Sequence, residues 1–428
     1  MEITDVSREP TARAATVGRE YGLFLLGAAV VALHVLDDNF IQPQPGTSAG
    51  DHLVSGLVPL ALVAGAAVLY PRLRAGLRAI IALTLGLLAV AGGIAEAGYY
   101  TFKVGASGDD YTGLLMIAAG ALLLVVGAWT LWTSRRGGSR RRRYLRRLGI
   151  GVLGFVVFFE LVVPVAFTCG YTHAGRPIVP EANLGADPEE VTFTTNDGLE
   201  LSGWYLPSTN GAAVIAFPSR KGPQRIAGIL ADHGYGVLLF DRRGEGESDG
   251  DPNALGWSGI PDIEAAIAYL QSRPDVDPER IGGIGLSVGG ELLLQAAAET
   301  DELKAVVSEG AGVRSAREAL LASGGAERLG LPFWLVTTGA TAVFDNQLPP
   351  PSLKDLVGEI APRPIFLIYA GHGQGGEELS ADYYEAAGEP KTLWEIPEAG
   401  HTGGLSARPE EYERRVVAFF DDALLENR

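Results

Sequence analysis

Five apolar stretches, at residues 19–36, 53–70, 77–98, 112–132 and 148–168, take up most of the first 169 residues. Each has, or comes close to, the roughly 20 helical residues needed to cross a hydrocarbon core about 30 Å thick. Inside a bilayer no water is available to the peptide group, so stretches of this kind are confined to helices. The expectation is an all-α transmembrane bundle of about five helices over 19–169, preceded by an N-terminal tail of residues 1–18. The first stretch starts late, and no small-residue cleavage site follows it, so it reads as a span rather than a cleaved signal peptide.

Basic residues give the expected orientation. Loop 71–78 holds Arg72, Arg74 and Arg78, and loop 133–147 holds Arg135, Arg136, Arg140, Arg141, Arg142, Arg143, Arg146 and Arg147. Loop 37–52 has no Lys or Arg but has Asp37, Asp38 and Asp51, and loop 99–111 has only Lys103. Arginines mark cytoplasmic loops, so the N-terminus is expected inside the cell membrane and everything after about residue 170 outside it. Membrane lipids are the expected partners there, with the arginine run near anionic headgroups. Two carboxyls fall within spans, Glu96 near an outer end and Glu160 well inside the fifth. Intramembrane carboxylates are functional candidates; the plainer expectation is a protonated glutamate bonded to a neighbouring helix, with no chain of such groups to suggest transport. The single Cys169 has no internal disulfide partner and reads as a small apolar residue at a membrane edge.

The second part differs in charge. Residues 1–169 carry 15 Lys and Arg against 11 Asp and Glu, residues 170–428 carry 19 against 40, and the whole chain is at −17. So acidic a segment argues against a nucleic-acid partner, which would need clustered cations. Residues 170–189, with Pro177 to Gly185 at their centre, read as a linker. From 190 to 428 strand and helix signals alternate. Glu190–Leu206 forms a hairpin around Asn196-Asp197-Gly198; strands follow at 212–217, 236–240, 280–285, 303–308, 365–369 and 391–396. Helices fall at 224–233, 261–271, 291–298 and 410–425. Val214–Phe217 and Val237–Phe240 are apolar at consecutive positions, as in strands covered on both faces. The implied class is α/β with a mostly parallel sheet.

Two G-x-S-x-G pentapeptides compete for attention, at 246–250 and 285–289. A nucleophile elbow needs a buried strand, a tight turn and then a helix. Ser287 has an apolar run before it and Glu291–Ala298 after it; Ser248 lies among Glu245, Glu247, Asp249 and Asp251, before Pro252, and reads as a solvated loop. With the elbow at 285–289, Gly234-Tyr235-Gly236-Val237 entering a strand, Phe240-Asp241-Arg242-Arg243-Gly244-Glu245-Gly246-Glu247-Ser248 after it and Pro397-Glu398-Ala399-Gly400-His401 near the end, residues 190–427 resemble the α/β-hydrolase superfamily. The resemblance implies an eight-stranded-type sheet with a short lid insert, here 311–362, and makes Ser248 part of a structural turn. Within the lid, Leu329–Val336 is apolar enough to line an acyl pocket, to lie on a bilayer or to pack in a core.

A serine nucleophile needs a base held by a third group. The six histidines are His34, His52, His173, His233, His372 and His401. In the resembled fold the acid and then the histidine follow the nucleophile, which favours His401; His372 lies in the expected acid loop. An aspartate is expected soon after strand 365–369, but none occurs before Asp382. Glu377 is the first choice for the acid and Glu378 the alternative. Backbone N–H groups of Val288 and of Arg220, or alternatively Ser219, are expected to form the oxyanion hole; the side chains of Arg220 and Lys221 read as solvated. No cofactor and no metal are implied. The expected function is a membrane-anchored serine hydrolase cleaving a small or lipid-like acyl ester, thioester or amide. A peptidase or acyltransferase with the same residues, and a non-catalytic ligand-binding sensor, stay open, as does the oligomeric state.

Overall fold

The structure is a computed structural model that describes residues 8–103, 105–106, 108, 110–133, 139–173, 176, 179–321 and 330–426. Residues 1–7 of the expected tail, Arg135 and Arg136, Pro177 of the linker and residues 322–329 of the expected lid lie outside the described residues. The chain forms two compact units. One comprises residues 1–43, 48–175 and 339–346; the other comprises 44–47, 176–338 and 347–428.

In the first unit the helices are α1 (Arg8–Leu36), α2 (Leu53–Leu69), α3 (Ala75–Lys103), α4 (Asp110–Thr133), α5 (Arg140–Val157) and α6 (Val163–Thr172). A π-helical turn, Phe158–Val162, joins the last two. Among the described residues five segments are long and apolar enough to cross a membrane: Gly18–Ile41, Leu53–Arg72, Ala75–Gly98, Asp110–Thr133 and Tyr144–Thr172. Helix α1 starts well before residue 19, so part of the expected tail is helical; its alanines and arginines favour helix, and Pro10 falls in the first turn, where proline is tolerated. Helices α3 and α4 meet through glycines. A Cβ on Gly86 would come 2.8 Å from the Gly120 carbonyl oxygen, and one on Gly93 would come 2.6 Å from that of Gly113. Small residues permit such close backbone approach.

Glu96 Oε2 is hydrogen-bonded to Nε2 of His34 on α1 at 2.7 Å. The other ring nitrogen lies 3.1 Å from Thr112 Oγ1, which donates to Asp37 at 2.8 Å. The carboxyl is thus bonded to a neighbouring helix, but as one member of a side-chain chain rather than singly. Glu160 instead lies exposed on its π turn. Cys169 is half-buried, facing Gly92 of α3.

The second unit contains one eight-stranded sheet in the order β1-β2-β4-β3-β5-β6-β7-β8. The strands are β1 (Glu189–Thr194), β2 (Glu200–Leu206), β3 (Ala213–Phe217), β4 (Gly236–Phe240), β5 (Ile281–Leu286), β6 (Ala305–Glu309), β7 (Ile365–His372) and β8 (Lys391–Gly400). β1–β2 and β2–β4 pair antiparallel and the other neighbours pair parallel. Consecutive residues of the central strands enter opposite cores: Ile215, Phe217, Leu238 and Phe240 on one face, Val214, Ala216, Val237 and Leu239 on the other. The first face is covered by α8 (Ile260–Gln271) and α9 (Val288–Glu299), the second by α7 (Gln224–Asp232) and a later helix near the C-terminus. Strands β7 and β8 run past the expected 369 and 396, because pairing continues through Ala370–Ile396 and resumes at His372–Gly400.

Between β6 and β7 lie α10 (Ala316–Leu321), α11 (Leu331–Phe344) and α12 (Leu353–Leu356). The start of this insert is held down by Arg314, which is buried and donates to Gln295 Oε1 of α9 and to the Pro351 carbonyl, both at 2.7 Å. After β7 come α13 (Leu379–Ala386), then α14 (Gly404–Ala407) and α15 (Pro409–Phe420), the helix that completes the second face.

Candidate active site

Ser287 sits between the end of β5 and the first residue of α9, at φ 53° and ψ −123°. A non-glycine residue reaches that region only when its surroundings force it, and here glycines do so. A Cβ on Gly285 would collide with the main chain of Gly289, and one on Gly289 would lie 2.7 Å from the Phe217 carbonyl oxygen. The Ser287 N–H donates to the carbonyl of Glu309 at the end of β6, at 2.7 Å. As the first residue of a helix, Val288 directs its N–H out of the helix end, with no acceptor in its own helix.

His401 follows directly on β8, and its Nδ1 is hydrogen-bonded to Glu377 Oε1. Glu377 is fully buried; its Oε2 accepts the Ala370 N–H at 3.1 Å and its Oε1 the Gln374 N–H at 3.2 Å. The Glu377 bond raises the imidazole pKa above its ordinary value, against a smaller opposing effect of burial. Burial pushes the Glu377 carboxyl up, but the bonds from His401, Ala370 and Gln374 outweigh it and hold the group below its usual range. Glu378, the neighbouring alternative, is exposed at the start of α13. His372 is exposed at the end of β7.

One turn links these groups. Glu309 carries the carbonyl that holds Ser287, and Gly310 follows it at φ +79°. A Cβ on Gly310 would be 3.4 Å from both Glu377 Cδ and His401 Cε1. The serine, the imidazole and the carboxylate therefore border the same two-residue turn at the C-terminal edge of the parallel strands, where ligands bind in open α/β sheets. With a proton on Nδ1 shared with Glu377, the imidazole presents a bare Nε2 that can take a proton from a hydroxyl.

Three expectations need correction. The Arg220 N–H donates to Asp241 Oδ1 at 3.0 Å, so it is spent and cannot serve an oxyanion. Its guanidinium is buried rather than solvated, bonded to Asp241 at 2.8 Å and Glu247 at 2.9 Å. Ser219, one residue earlier, remains the candidate in a loop whose start, Phe217-Pro218, packs on Gly289. Ser248 is likewise no solvated residue. It is fully buried, donating to the Asp241 carbonyl and accepting the Ser202 N–H, which fits the structural turn. No motif in the sequence singles out Glu309 and Gly310. A carboxylate ending the short strand Ala-Val-Val-Ser-Glu, immediately before Gly-Ala-Gly, is the signal available for them.

Among the described residues no group of three His, Cys, Asp or Glu side chains could hold a metal ion. A family profile for X-Pro dipeptidyl-peptidase (S15 family) matches residues 172–357. The uncharacterized protein Rv2307c of Mycobacterium tuberculosis is 30% identical over 274 residues, covering 61% of this chain and 83% of that protein. The uncharacterized protein YfhR of Escherichia coli K12 is 29% identical over 260 residues, 56% of this chain and 84% of that one. The polyketide transferase grgF of a Penicillium species is 35% identical over 134 residues, 28% of this chain and 43% of its own. Among solved structures, the Pyrococcus furiosus esterase Pf2001 is 24% identical with a TM-score of 0.48, covering 58% of this chain and 98% of its own.

Proposed function

The chain belongs to the α/β-hydrolase superfamily, and on that premise we propose that it is a membrane-anchored serine hydrolase that works through an acyl-enzyme on Ser287. His401 takes the Ser287 proton as the hydroxyl attacks a carbonyl and returns it to the leaving group; Glu377 orients the ring and stabilises the imidazolium. The N–H groups of Val288 and Ser219 receive the oxyanion. Water then attacks the acyl-enzyme by the same route in reverse, regenerating Ser287. The observation that carries this reading is the His401 Nδ1 bond to a fully buried Glu377, beside the turn that also holds the Ser287 main chain.

An ester of a small or lipid-like acyl group is the favoured substrate, because five candidate spans would keep such an enzyme at a lipid surface. The α/β unit would then lie on the outer side of the cell membrane. A second reading, a peptidase, is favoured by the S15 match, although that match ends before Glu377 and His401. The test is labelling of the full chain in detergent with a fluorophosphonate probe, followed by turnover of p-nitrophenyl esters and of X-Pro p-nitroanilides. Labelling that disappears in Ser287→Ala, with ester turnover, is expected. Folded protein that is not labelled would make the α/β unit a ligand-binding module, and anilide turnover in preference to ester would make it a peptidase.

A further inference from the structure

Beneath the serine and the histidine lies a carboxylate that the mechanism above does not use. Glu309 is 2% exposed, and among the described residues no Lys or Arg pairs with it. A buried carboxylate without a cation is costly, so the fold tolerates it only where several donors meet it. Two do. The Gly404 N–H donates to Oε1 and the Tyr412 hydroxyl to Oε2, each at 2.7 Å. Two converging donors suit a group with two acceptor oxygens; an amide would turn its NH2 toward one of them.

The donors matter because of where they are. Gly404 is three residues after His401, and Tyr412 comes from α15, which follows the same segment. Between β8 and α14 the chain makes a tight turn, with Thr402 at φ 50° and the Gly403 N–H on the Gly400 carbonyl at 2.9 Å. The main chain of Glu309, meanwhile, accepts the Ser287 N–H at 2.7 Å. One residue thus grips the nucleophile by its carbonyl and the base's turn by its side chain.

Resting on the serine-hydrolase reading, we propose that Glu309 is a positioning residue: it sets the distance between Ser287 and His401 and places a second negative charge behind the imidazole. The groups facing it are Tyr412 of α15, the Gly404 amide, Glu377 of the loop after β7 and His401 itself. Glu291 of α9, bonded to the Gly312 N–H at 2.9 Å, bears on the same imidazole. Burial pushes the Glu309 carboxyl up, and that of Glu291, which also faces Arg314, up to about 7; each favours the imidazolium in its ionised form, behind Glu377, which is bonded to the ring.

The test compares wild type with Glu309→Gln, full chain in detergent, reading kcat and KM for p-nitrophenyl acetate across pH and thermal unfolding alongside. Glu309→Gln is expected to lower kcat about tenfold with KM within twofold. It should also move the acid limb of kcat/KM to lower pH by about half a unit, since a charge favouring the protonated ring is gone. A merely structural role would lower the unfolding temperature and leave that limb in place. A folded Glu309→Gln with unchanged kcat and limb overturns the proposal while leaving Ser287 chemistry intact. A wild type with no Ser287-dependent turnover overturns both. Should Glu309→Gln not fold, Tyr412→Phe decides: a several-fold loss of kcat at constant KM supports the proposal and an unchanged kcat overturns it.

Discussion

At the scale of single residues, the decisive pair is His401 and Glu377, and its consequence for activity has a definite sign. A general base works only when neutral, and the bond to Glu377 raises the pKa of His401 above the ordinary histidine value. Activity should therefore fall as pH drops through a midpoint above about 6.5, the unperturbed value for histidine. Glu377→Gln removes the charge that holds the proton on the ring, so the acid limb of kcat/KM should move to lower pH. The same change loses the group that fixes the tautomer, and kcat should fall about 10²- to 10⁴-fold. A pH–rate profile of the variant checks both, and a limb that stays in place would remove Glu377 from the proposed mechanism. Residues of this kind were partly legible. Ser287 and His401 announce themselves by local pattern, a strand–turn–helix and a Gly-flanked histidine after the last strand. Choosing between Glu377 and Glu378 needed the third dimension, because adjacent carboxylates differ in direction rather than in chemistry. Arg220 shows the limit most plainly: the sequence puts it in the loop after β3, but the direction of its N–H is set by Asp241, 21 residues away.

At the scale of elements, the elbow depends on how closely β5 and α9 press against their neighbours. The strand Ile281–Leu286 is half glycine, and a Cβ on Gly283 would meet Leu293 Cδ2 of α9 at 2.9 Å. Gly289 is the sharper case. A Cβ there would lie 2.7 Å from the Phe217 carbonyl oxygen and 2.8 Å from its carbon, which are backbone atoms that cannot rotate away. Helix propensity alone would favour Ala over Gly by up to about 1 kcal/mol, but overpacking against backbone costs typically about 1–3 kcal/mol. Gly289→Ala should therefore lower the unfolding temperature and slow fluorophosphonate labelling of Ser287, because relief requires α9 to shift together with the serine that caps its start. Faster or unchanged labelling would show that the helix start has room to spare. The sequence conveyed these elements well where alternating or continuous apolar runs defined them, as in β3 and β4. The ends of β7 and β8 carry no such pattern: Gly371 and Pro397 fall at an irregularity in the pairing, and the ladder resumes only at His372 and Gly400.

At the scale of the whole chain, the number of apolar segments and the placing of the arginines bear on the side of a membrane on which the α/β unit would work. Among the described residues five segments are long and apolar enough to cross; if each does, an odd number, the two ends of the series should face opposite compartments. Helix α11 does not add a sixth crossing by length: its 14 residues span about 21 Å, short of a core about 30 Å thick. The arginines then set the direction. Arg140 to Arg143 begin α5, with Ser139 capping it, and Arg72, Arg74 and Arg78 lie between α2 and the body of α3. By the positive-inside tendency both groups would face the cytoplasm, and the acidic segment after residue 170, at 40 Asp and Glu against 19 Lys and Arg, carries no competing basic cluster. Alkaline phosphatase, which is active only outside the cytoplasm, should be active when fused after the last residue of the chain in a bacterial host and inactive when fused within residues 134–138. A green fluorescent protein fused at the same two places should give the reverse. Reversed signals at both sites would turn the α/β unit toward the cytoplasm and its substrates with it, while equal signals at the two would mean that the series crosses an even number of times.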